Sequence, residues 1–175
     1  MWRQPWGYKE GWTICIGLFI TGAVLQLTAG KVDPTLFRYP LNAITGGLFL
    51  FFLIMVYVAS RKAAALQWFY SLTASITSLT AWMVLVIIMG LTRQAAPSVT
   101  VTHGGLLSGL GFMQMTLSWP FMLLFLYFLS VLGLVTIRKI VHFRKKDIPF
   151  ILNHAGLFIT LLAAILGNGD LQRMR

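Results

Sequence analysis

Ile148-Pro-Phe-Ile-Leu-Asn-His-Ala-Gly-Leu-Phe-Ile-Thr-Leu-Leu-Ala-Ala-Ile-Leu-Gly167 is an apolar run with one ionisable side chain, His154, inside it. A helix of ~20 such residues crosses the hydrocarbon of a bilayer. Just before it stand Arg138, Lys139, Arg144, Lys145 and Lys146, then Asp147, and Pro149 falls in the first turn, where its missing N–H costs nothing. On a helix starting at Ile148, His154 lies about 9 Å along the axis at 1.5 Å per residue, inside the hydrocarbon and near the basic end. An ionisable side chain at that depth is costly and marks a functional site by default.

Four further segments of the same kind precede this one. The chain is 58% hydrophobic and only 10% charged, with a mean hydropathy of +0.80, a balance that leaves too little polar side chain to coat a soluble domain of 175 residues. The spacing predicts spans over about 12–30, 42–60, 66–91, 119–137 and 148–167, making residues 1–175 one multi-pass all-α membrane domain with no extracytoplasmic domain. The first run is too long for the apolar core of a secretion signal, and its exit at Leu27-Thr-Ala-Gly-Lys31 is a poor cleavage site. Residues 92–118 are polar and Gly-rich, with Pro97 and Thr-His-Gly-Gly at 102–105, and read as a loop with a part that could re-enter the membrane.

The net charge of +10 does not point to nucleic acid, because the basic residues gather at span ends, where they set topology and meet anionic lipid. With the 138–146 loop in the cytoplasm, the inner side holds Arg3, Lys9, Arg61, Lys62, Arg138, Lys139, Arg144, Lys145 and Lys146. The outer side holds Lys31, Arg38, Arg93, Arg173 and Arg175. This bias predicts an amino terminus inside, a carboxyl terminus outside and His154 toward the cytoplasmic leaflet.

A neutral imidazole carries a lone pair that suits heme iron or another transition metal. Phe150 and Phe158, four residues either side of His154, share its helical face and offer aromatic edges to a flat macrocycle. A second reading, a histidine satisfied by a hydroxyl on a neighbouring helix, stays open beside it. His103 and His142 lie in loops and read as solvated side chains. Gly156, Thr160 and Ala164 form a small-residue stripe suited to close helix packing, as do the hydroxyls Ser71, Ser75 and Ser78 of the third span. Cys15 is the single cysteine, and neither CxxC nor CxxCH occurs, so no dithiol redox or covalent heme-attachment site is encoded. No Walker loop, zinc motif, nucleophile elbow or carboxylate pair appears, and the acids Glu10, Asp33, Asp147 and Asp170 all fall at span ends, which argues against hydrolytic catalysis.

Several stretches carry a resemblance: Trp6-Gly-Tyr-Lys-Glu-Gly-Trp12, Leu25-Gln-Leu-Thr28, Met89-Gly-Leu-Thr-Arg-Gln94, Leu117-Ser-Trp-Pro-Phe121, Asp147 through Phe158, and Gly167-Asn-Gly-Asp-Leu-Gln-Arg173. Together they resemble the amino-terminal membrane part of ResB-like proteins of System II cytochrome c biogenesis, including versions fused to the ResC-type partner. The most specific element is His154-Ala-Gly156. The resemblance implies that His154 supplies one of two axial ligands to a transient heme b, the other coming from the partner subunit. It also implies a bacterial cytoplasmic (inner) membrane location, a ResC-type partner carrying a tryptophan-rich WWD segment, and apocytochrome c as an indirect client. This chain has no WWD segment and stops at Arg175, where the family would begin its extracytoplasmic domain, so the expectation is a natural short form or the front part of a longer or split protein, in either case a subunit and not an enzyme on its own. The contrasting expectation is a structural anchor or a small-molecule permease subunit without heme, its path lined by the hydroxyl-rich third span.

Overall fold

In the computed structural model, residues 6–60, 63–96 and 105–171 are described. Among them there is no strand, and five helices are long and apolar enough to cross a membrane. These are α1 (Tyr8–Ala29), α2 (Leu41–Ser60), α3 (Leu72–Leu91), α4 (Trp119–Val141) and α5 (Ile148–Leu171). The protein is thus an all-helical, multi-pass membrane protein. Helices of this kind are stable in lipid because each closes its own backbone hydrogen bonds.

The third span starts later than the apolar run does. Ser71 has extended backbone and its Oγ accepts the Ala74 N–H at 3.2 Å, so it caps α3. The residues before it form short turns, Ala64–Gln67 and Trp68–Tyr70. Coverage is very uneven along the chain. Of the most apolar stretch of α4, 72% is buried, against 6% for that of α5.

The chain divides into two compact units, Met1–Asp33 with Ile76–Phe128, and Pro34–Ser75 with Leu129–Arg175. In the first, α1 comes close to its neighbours at two glycines. A Cβ on Gly22 of α1 would lie 2.6 Å from both N and Cα of Pro120, and one on Gly11 would lie 2.6 Å from Thr77 Oγ1. Cys15 is buried beside this contact, its thiol donating to the Thr77 carbonyl at 3.7 Å. Trp82 stacks on Phe128 at 5.2 Å and meets Phe125 at 5.5 Å.

The same unit turns the segment before α4 into a folded cap. Leu106–Gly109 is one helical turn and Phe112–Leu117 a 3-10 helix, with Phe112, Met115 and Leu117 buried. Gly111 joins them at φ +77, a left-handed conformation that suits glycine. Gln94 pins the cap, donating to the Phe112 carbonyl at 2.9 Å and accepting the Met115 N–H at 3.1 Å. Gln26, buried in α1, accepts the Trp119 N–H at 3.1 Å and so satisfies a donor at the start of α4.

In the second unit Gly133 of α4 is the point of closest approach. A Cβ there would lie 2.8 Å from both Leu53 Cδ1 of α2 and Phe158 Cε2 of α5. Phe158 also stacks on Phe49 at 6.5 Å. At the far end of α5, Asp170 accepts hydrogen bonds from Asn42 Nδ2 at 2.8 Å and from the Tyr39 N–H at 3.1 Å.

Candidate functional site: the basic end of the His154 helix

The second unit carries the site residues, and α5 begins where the sequence places its start. Lys145–Asp147 makes a 3-10 turn, and Pro149 follows in the first turn of α5. From there the face of α5 that turns inward is read by period: Asp147, Phe150, His154 and Leu161 are half-buried and Phe158 is buried. His154 is therefore on the protein side of its helix. The Gly156, Thr160 and Ala164 stripe lies on the other side and is exposed, and Gly156 has open space around its would-be Cβ.

His154 is held in a defined way. Its Nδ1 lies 3.0 Å from the Phe150 carbonyl oxygen. A carbonyl only accepts, so Nδ1 carries the proton, and in neutral imidazole the lone pair is then on Nε2. The Phe150 ring stacks on the imidazole at 3.7 Å with the planes 19° apart. This fixes both the tautomer and the ring plane, the arrangement that histidine ligands of metals use. Phe150 and His154 are thus brought together, whereas Phe158 is committed to packing against Phe49 and Gly133. Among the described residues no three of His, Cys, Asp and Glu gather into a group that could hold a metal ion.

About two turns before His154 is a basic cleft of about 610 Å³. Arg138 and Lys139 from the last turn of α4 line it, with His142, Arg144, Lys146 and Asp147 from the loop and Tyr70 from the turn before α3. Lys139 pairs with Asp147 at 3.1 Å and sets its ammonium 5.5 Å from the Phe150 ring centroid. Arg138 lies over the Tyr70 ring at 5.4 Å. Tyr70 is itself supported, edge-on to Tyr57 at 6.1 Å and with its hydroxyl bonded to Ser60 Oγ. A neighbouring cleft of about 460 Å³ shares Tyr70, Arg138 and His142. His142 is exposed, its Nδ1 on the Arg138 carbonyl at 3.1 Å; His103 lies outside the described residues.

Reasoning on residues in sequence found His154 and the basic loop but missed Tyr70. Its signal was weak: an aromatic side chain in a segment read as part of a span. The hydroxyls of the third span are partly accounted for by packing. Thr77 and Ser78 are fully buried, and Ser71 and Ser75 bond within the first turn of α3. Compared with family models, with curated proteins and with solved structures, the chain gives no match.

Proposed function

We propose that this protein is a heme-handling membrane subunit of the cytochrome c assembly machinery of a bacterial cytoplasmic membrane. In this reading its amino terminus is inside and its carboxyl terminus outside. His154 supplies one axial nitrogen and a ResC-type subunit with a WWD segment supplies the other. The reading rests on the ResB-like resemblance and on one observation: Nδ1 of His154 is bound to the Phe150 carbonyl, which leaves the Nε2 lone pair for a metal. The donor set fits one position of a shared site, since an imidazole in an apolar segment is a standard axial ligand for heme iron. Bound heme b would supply the cargo that the assembly machinery passes on to apocytochrome c.

The chain's own residues orient the donor. Phe150 fixes the imidazole from one face through its ring and from Nδ1 through its carbonyl. Phe158 anchors the helix one turn on, against Phe49 and Gly133, so the imidazole is carried by a packed element and not by a loop. The chain is then a holder of heme and not a catalyst by itself. To test this, the protein is purified with its partner and the heme absorption of wild type is compared with that of His154→Ala. Loss of heme, or a shifted Soret band, is the expected result; equal heme content with an unchanged spectrum overturns the ligand assignment.

A further inference from the structure

The basic cleft holds more positive charge than the protein neutralises. The chain has four carboxylate side chains, Glu10, Asp33, Asp147 and Asp170. Only Asp147 lines the cleft, and it is paired with Lys139. Arg138, Arg144 and Lys146 meet no carboxylate among the described residues. Cations collected in a concave site without counter-charge repel one another, and that cost falls when an anion enters.

Arg138 is also placed more exactly than a solvated surface arginine. Its guanidinium is laid over the Tyr70 ring, and Tyr70 is fixed by Tyr57 and Ser60. None of its N–H groups has an acceptor among the described residues. A planar fork held flat with its donors unspent matches the paired oxygens of a phosphate.

The position of the cleft indicates where such a phosphate comes from. It is built on the last turn of α4 and the loop into α5, the end of two membrane spans and hence headgroup depth. One wall is apolar, at Val135. Beside it α5 is almost uncovered, with Ile148 and Leu152 exposed at 42% and 68%. A ligand with a phosphate at one end and hydrocarbon at the other satisfies both surfaces. We propose that this cleft binds the headgroup phosphate of an anionic phospholipid, with the acyl chains along the uncovered face of α5. The site stands whether or not His154 carries iron.

The full chain, solubilised in detergent, is equilibrated with mixed micelles of phosphatidylglycerol and phosphatidylcholine, and retained lipids are counted by native mass spectrometry. Wild type is expected to retain phosphatidylglycerol preferentially. Arg138→Gln and Arg144→Gln are each expected to weaken retention about fivefold, the effect of one basic residue at a lipid surface. Arg144 is exposed and its side chain makes no hydrogen bond or ion pair among the described residues, so its variant is expected to fold as wild type does. Arg93→Gln, outside the cleft, is expected to leave retention unchanged. Equal retention in wild type and both cleft variants overturns the proposal, as does an equal loss with Arg93→Gln. Displacement of the lipid by inorganic phosphate, but not by sodium chloride at matched ionic strength, assigns the site to a soluble phosphate and overturns the lipid assignment.

Discussion

At the scale of single residues, the decisive positions are those where nothing larger fits. Gly22 sits against the backbone of Pro120 and Trp119, the nearest atoms 2.6 to 2.9 Å from a would-be Cβ. Backbone atoms cannot rotate away as side-chain ends do, so an added methyl must push α1 from α4. Gly22→Ala is expected to destabilise the protein by about 1–3 kcal/mol, the range for overpacking. Gly17, on the same helix with nothing within 4 Å, serves as the control. Gly17→Ala is expected to be neutral or slightly stabilising, and thermal unfolding in detergent compares the two. Equal melting temperatures for both variants would refute the close approach. The position of His154 in its span was readable from the sequence, and so was Phe150 four residues before it. The structure adds the side chain's rotamer, which turns Nδ1 to the Phe150 carbonyl and the imidazole onto the Phe150 ring.

At the scale of elements, α5 is the helix with least cover, and it is fastened at its ends. Lys139 and Asp147 close one end, and Asp170 with Asn42 and the Tyr39 N–H closes the other. Hydrogen bonds to a charged acceptor contribute about 1.5–3 kcal/mol each when shielded, and less here because the site is only part-buried. Asp170→Ala is therefore expected to lower stability by about 1–2 kcal/mol and to speed deuterium exchange at the Tyr39 amide, with little change at amides in the middle of α2. Unchanged exchange at Tyr39 would show that the contact carries no stability. The element boundaries show how local chemistry competes with hydropathy. The apolar run from 66 predicts a longer third span, but Ser71 takes the Ala74 N–H and starts α3 at Leu72. Likewise the Gly-rich stretch before α4 read as loop, and its described part is capped by short helices because Phe112, Met115 and Leu117 have a core to enter.

At the scale of the whole molecule, the proposed orientation rests on charge. By sequence, nine basic residues are assigned to the inner side and five to the outer, with five of the nine in the 138–146 stretch. A carboxyl-terminal alkaline phosphatase fusion after Arg175 is expected to be active and a fusion within 140–146 silent. The reverse pattern would place His154 near the outer leaflet, and the proposal that it meets heme from the cytoplasm would be withdrawn.

By itself the sequence determined that this is a helical membrane protein with five spans, where the basic loop lies, and that one imidazole sits inside a span. All of these depend on local composition, because lipid acts as the solvent and each helix satisfies its own backbone. Only the tertiary structure decided that Gly22 meets Pro120, that Gly133 receives Leu53 and Phe158, and that Gln26 serves the Trp119 N–H. It also decided that Tyr70 carries Arg138 at the wall of a cleft. Between helices in lipid the association comes from close packing and a few polar contacts, not from hydrophobicity, which every span shares. Which small residue meets which partner is thus set by the meeting of distant segments, and hydropathy along the chain does not distinguish one pairing from another.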